Sequence, residues 1–92
     1  MKVTAVFHGI LYDWVGVEKA DFEIHEGALF ADLLSEICKA YRQKMPDQLW
    51  NDEQNVFNKP VLAFSNQKQI KGPREPLSDG QKIQFHLMLA GG

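Results

Sequence analysis

The sequence closes on "HLMLAGG", so the residues with the clearest chemistry are Gly91 and Gly92. A glycine carboxylate is the least hindered acyl group a polypeptide can present. It is a poor acyl donor until it is activated, and then its carbonyl is open to a sulfur or nitrogen nucleophile. Two residues without Cβ atoms also let the backbone thread a narrow channel. Ala90 and Gly91 therefore read as tail and Gly92 as the reactive residue. The plainer alternative is a frayed end, which many domains have. Against it, the preceding run stays apolar to Leu89. About five extended residues beyond Leu87 span about 15–18 Å, enough to enter another protein's active site while the domain docks outside it.

Little else in the chain suggests chemistry. There is no CxxC, no HExxH and no phosphate-binding glycine loop, so no standard metal or nucleotide site can be drawn. Cys38 falls mid-helix beside Ile37, where a buried structural thiol is expected and nothing nearby would make it a nucleophile. His8 and His86 can share one sheet face if their strands are neighbours. Two imidazoles fall short of a metal site, so they read as exposed or partner-facing, with no metal. His25 reads as a strand-end surface residue. Trp14 and Trp50 lie in loops, folded over the core edge or meeting a partner.

These groups need elements to position them. The chain has 92 residues, 45% hydrophobic and 24% charged, the composition of one soluble domain. A domain of that size buries roughly 60–65% of its unfolded surface, which leaves little room for an enzyme cleft beside the core. The net charge is −2, with no basic stripe, which argues against nucleic acid as a partner. The single cysteine excludes an internal disulfide and fits a reducing compartment. No segment approaches the ~20 apolar residues of a membrane span, and the N-terminal run is short for a signal peptide. The expectation is a cytoplasmic protein with no membrane partner.

Val3–Ile10 reads as a buried strand and Lys19–His25 as a half-buried one, separated by a loop over "LYDWVGVE". Phe30, Leu33, Leu34, Ile37 and Tyr41 recur at helical spacing, which predicts an amphipathic helix from Ala28 to about Gln43. Lys44–Pro60 has no period and is long for a connection, so it is either functional or carries a short irregular helix. Val61–Ser65 is a strand, "NQK" a turn and "QIK" a short return strand. "GPREPLSDG" is loop, and Gln81–Leu89 alternates as the last strand. The order β-β-α-β-(β)-β predicts an α+β roll, a mixed four- to five-stranded sheet with one main helix across one face. The crossover lets the first and last strands pair in parallel. The whole of 1–92 is then one domain, with a tail from about residue 89. If Val3, Ala5, Phe7, Ile83, Phe85 and Leu87 face the core, then Val6, His8, His86 and Met88 form the opposite face, which reads as partner-binding or as an ordinary half-solvated sheet face.

With these features the chain resembles the MoaD/ThiS family of ubiquitin-like sulfur carriers, β-grasp proteins that end in Gly-Gly. "VTAVFHGILYDWVG" is similar to the family's first strand and following loop, "EGALFADLLSEICKAY" to its helix, and "VLAFSNQKQI" to its "AVNG" strand and turn. "EPLSDGQKIQFHLMLAGG" is the most specific segment, with Pro76-Leu77, Asp79-Gly80 and Gly91-Gly92 at family spacing. The resemblance implies that an E1-like adenylyltransferase of the MoeB/ThiF type uses ATP to adenylate Gly92. A sulfur donor then makes a thiocarboxylate, and a MoaE-like large subunit or another acceptor enzyme receives the sulfur, with molybdopterin synthesis as the expected pathway. It implies no bound cofactor and no catalysis by this chain alone, which would be a cosubstrate or a small subunit. Conjugation of Gly92 to lysines as a protein modifier, or a β-grasp interaction module with an inert tail, are the alternatives. The sequence departs from the family pattern at Gln81 for a second Asp, at Leu87 and Met88 for prolines, at His8 for an exposed aromatic, and at Leu29 for a Thr helix cap.

Overall fold

In the computed structural model, which describes residues 1–58 and 61–88, every strongly alternating run forms a strand. The strands are β1 (Lys2–Phe7), β2 (Lys19–Glu23), β3 (Trp50–Asn51), β4 (Val56–Phe57), β5 (Val61–Ser65), β6 (Lys68–Gln69) and β7 (Lys82–Leu87). The helices are α1 (Ile10–Val15) and α2 (Phe30–Tyr41). Five strands form one sheet in the order β2-β1-β7-β5-β6. β1 and β2 are an antiparallel hairpin pair, and β1 runs parallel to β7 with Ala5 opposite Ile83 and Phe7 opposite Phe85. Strand β7 therefore sits at the centre, with β5 antiparallel on its other side.

The inner face follows the period of two. Val3, Ala5, Phe7, Ile83 and Phe85 are buried, Leu87 packs partly buried against them, and α2 covers them with Phe30, Leu33, Leu34 and Ile37. Phe85 is the hub. It stacks on Phe7 at 5.6 Å and on Phe30 at 6.1 Å, and meets Phe57 at 5.3 Å. Cys38 is half-buried rather than buried, because it borders the packed stripe of α2 instead of lying in it.

Several local expectations change. "LYDWVGVE" is not all loop: Ile10–Val15 is a helix of one and a half turns, stopped by Gly16 at φ 91°. Leu11 and Val15 are its only buried pair, one i,i+4 repeat, too little for a period to register. The first strand accordingly ends at Phe7 and the second at Glu23, and the return strand is Lys68–Gln69. The main helix is shorter than read, Phe30–Tyr41, and continues as a 3₁₀ turn at Arg42–Lys44. Beyond it the aperiodic segment holds a second 3₁₀ turn, Asp47–Leu49, and the β3–β4 hairpin.

Arg42 binds that segment to the end of α2. Its Nε and Nη2 donate to the two oxygens of Asp52 at 2.9 and 3.0 Å, while Nη2 also reaches Asp47 and Nη1 the Met45 carbonyl. The hydrogen bonds to Arg42 hold the Asp52 carboxyl below its usual range. Met45, Leu49 and Trp50 are buried, so this stretch is a lid on the core. The Trp50 indole N–H is buried with no hydrogen-bond partner among the described residues. Trp14 packs half-buried against the core edge, as the core-edge reading has it.

Candidate functional site

The candidate site is built on the outer face of the three central strands and the end at which β7 leaves them. Because β1 and β7 are parallel, both finish at the same end of the sheet, and the next residues of both chains meet there. The His8 backbone N–H donates to the Phe85 carbonyl at 3.1 Å, which carries the register one residue past β1. His8 and His86 are thereby placed side by side, with ring centroids 4.3 Å apart and planes 4° from parallel. His8 Nε2 lies 2.9 Å from Gln84 Oε1, so the His8 proton is on Nε2 when it donates there. The His86 imidazole has its pKa pushed down, first by burial and then by the neighbouring His8.

Val6 and Gln84 continue this face, opposite one another in the register. Met88 is half exposed at the end of the strand. Strand β5 adds two residues that alternation alone did not single out. Leu62 is opposite His86, and Phe64 stands edge-on to the His86 ring at 5.7 Å. "VLAFS" is apolar at four of five positions, so its outward pair cannot be told from its inward one without knowing the neighbours. The structure thus brings Val6, His8 and His86 together with Leu62 and Phe64. Ile10 and Tyr12, large and exposed, lie on α1, which follows directly from His8.

His25 is exposed at the far end, 3.9 Å from Asp32, and takes no part in this face. Among the described residues there is no group of three or more His, Cys, Asp or Glu able to hold a metal ion, and no helix is long and apolar enough to cross a membrane. A shallow apolar cleft of about 230 Å³ opens on the opposite side, where Phe30, Leu34 and Phe57 meet β5. Ala90, Gly91 and Gly92 lie outside the described residues. What the structure gives is Met88, one residue past the end of the central strand and the last described residue before them.

The "EPLSDGQ" segment is structural. Leu77 is buried, its N–H bonds the Ala28 carbonyl, and Gly80, at φ 80°, donates to the Lys2 carbonyl at 2.7 Å. Gln81 does more than an aspartate there would. Its Oε1 accepts the Ser78 N–H at 2.9 Å, and its Nε2 donates to Ser65 Oγ at 2.8 Å, tying the turn to β5.

No protein-family model matches the chain, and no curated protein does. Solved structures do. SAMP1 from Haloferax volcanii superposes with a TM-score of 0.83 at 13% identity, over 100% of both chains. Urm1 from Trypanosoma brucei gives 0.75 at 18%, over 99% of this chain and 95% of that one. The putative molybdopterin converting factor subunit 1 from Pyrococcus furiosus gives 0.71 at 22%, over 92% and 94%. The fold is the ubiquitin-like β-grasp. At such identities the likeness is one of backbone, and it extends over 92–100% of this chain. Its features here are the β1–β2 hairpin, the crossover helix α2 and the central parallel pair β1–β7.

Proposed function

We propose that this β-grasp protein is a sulfur carrier, activated at Gly92 by an E1-like adenylyltransferase that docks on the Val6–His8–His86–Met88 face. The carrying observation is placement: the last strand is the central one, its outer face is half apolar, and the chain leaves it at the edge of that face. An enzyme that covers the face lies beside Met88, the last described residue before the tail. The structural likeness to a molybdopterin converting factor subunit supports the reading.

The chemistry asks little of the carrier. A Gly92 carboxylate oxygen attacks the α-phosphorus of ATP, and pyrophosphate leaves. Hydrosulfide delivered by a sulfur donor then attacks the carbonyl, its proton goes to solvent, the acyl–phosphate C–O bond breaks with AMP as the leaving group, and a thiocarboxylate forms for an acceptor enzyme such as a MoaE-like large subunit. Ala90 and Gly91 supply a narrow tether, and the activating partner binds the ATP. Molybdopterin is the favoured destination of the sulfur, in the cytoplasm. A modifier reading, in which a lysine amine attacks the same adenylate, is supported by the likeness to small archaeal modifier proteins.

The deciding experiment is intact mass spectrometry of the chain after incubation with an E1-like enzyme, ATP and a sulfur donor. Exchange of one terminal oxygen for sulfur is expected. An unchanged mass with adenylation proven would overturn the carrier reading, and Gly-Gly remnants on lysines of other proteins would establish the modifier instead.

A further inference from the structure

The docking face has a titratable centre. His8 and His86 stack face to face at 4.3 Å, a spacing that suits two neutral rings and not two imidazolium ions. The elements around them offer little to hold a charge. From β5 come Leu62 and the edge of Phe64, and from β1 comes Val6. Strand β7 contributes the neutral Gln84 and, at its far end, Lys82. On β2, Lys19 is opposite Val6, and Asp21 is already bonded to Thr4 at 2.5 Å and paired with Lys2 at 3.6 Å. The α1 helix carries Asp13 and Tyr12, and Glu18 precedes β2. Burial first, and then the neighbouring His8, push the His86 pKa down.

We propose that the stacked His8–His86 pair is a proton switch: the face binds the apolar surface of its activating enzyme while the pair is neutral and releases it when the pair is charged. The proposal rests on the reading of this face as a docking surface. A partner that covers the pair must find it unprotonated, since burying an imidazolium against Leu62 and Phe64 leaves a charge without a counter-ion. Each proton that must be shed to dock weakens binding about tenfold per pH unit as the pH falls. Protonation also repels the two rings, so the apolar surface breaks where it is most continuous. An activating enzyme would then engage the carrier at neutral pH and lose it on acidification.

The test uses the full chain between about pH 8 and pH 5, the range in which imidazoles titrate. Ring-nitrogen NMR follows both histidines, and retention on a neutral phenyl resin reports the apolar face. In His8→Gln, His86 is expected to take its proton at a higher pH than in the parent. Parent retention is expected to fall severalfold with acid, while the His8→Phe/His86→Phe variant, stacked but without a proton site, keeps its retention. Amide dispersion and circular dichroism confirm that each variant is folded, and the single His86→Phe variant gives the same readout if the double one is not. Identical His86 titration with and without His8, or equal acid loss of retention in parent and Phe variants, would overturn the switch. Failure of Gly92 to be activated would overturn the carrier reading and leave both readouts as they are.

Discussion

Asp32 does at the start of α2 what Leu29 cannot. Leucine at the cap position has no side-chain oxygen, and the Asp32 carboxylate takes the Leu29 N–H at 2.7 Å, half of a capping box. Asp32→Ala should cost about 1 kcal/mol, read as a lower urea midpoint at unchanged slope. The same scale holds a pH prediction. His86 has a lowered pKa in the fold, so between the ordinary imidazole value of about 6.5 and that lowered value the unfolded chain binds a proton the folded one refuses. Stability is unaffected above that window and falls as pH drops through it. The melting temperature should therefore decline from pH 7.5 to 5.5 and decline less in His86→Gln; equal slopes would remove His86 as the cause.

Elements differ in how plainly they were written. The period of two in Gln81–Leu89 and the helical stripe from Phe30 to Tyr41 run long enough to specify which side is buried, and both elements form there. The residues named for the docking face followed from that parity alone. What the sequence left open had a physical reason in each case. Helix α1 offers a single i,i+4 pair, and the lid over 45–57 is held to α2 and its end by side-chain bonds such as Arg42 to Asp52 and Asn55 to Ser35, which no local pattern encodes. Leu62 and Phe64 were hidden in an unbroken apolar run, and the tail beyond Met88 lies outside the described residues. The β5–β6 turn carries its own prediction. Asn66 and Gln67 both have positive φ, 53° and 67°, the pattern of a two-residue hairpin turn that favours Asn-Gly. Gln67 pays the Cβ strain of that conformation, so Gln67→Gly should raise stability by about 0.5–1 kcal/mol in denaturant titration. A decrease would mean that the Gln67 side chain contributes more than its backbone strain costs.

At the scale of the molecule, the central strand β7 joins the core to the proposed docking face. Phe85 joins both layers, stacked with Phe7 and Phe30 beneath the sheet, while its neighbours Gln84 and His86 face outward. On the proposed reading, recognition and reactivity are separable, because the proposed face ends at Met88 and the proposed acyl group is at Gly92. Two variants should divide them. Leu62→Asp puts a carboxylate on the half-exposed outer face, so the fold should survive while docking loses a central apolar contact worth about 2 kcal/mol. With an E1-like enzyme in hand, that variant should show a KM raised about thirtyfold in pyrophosphate release and a kcat near the parent's. Deletion of Gly91 and Gly92 should do the opposite, abolishing pyrophosphate release while the truncated chain still competes with the parent for the enzyme. A truncation that no longer competes would place recognition in the tail itself. A Leu62→Asp chain with unaltered KM would move the docking surface off this sheet, towards the exposed Ile10 and Tyr12 of α1.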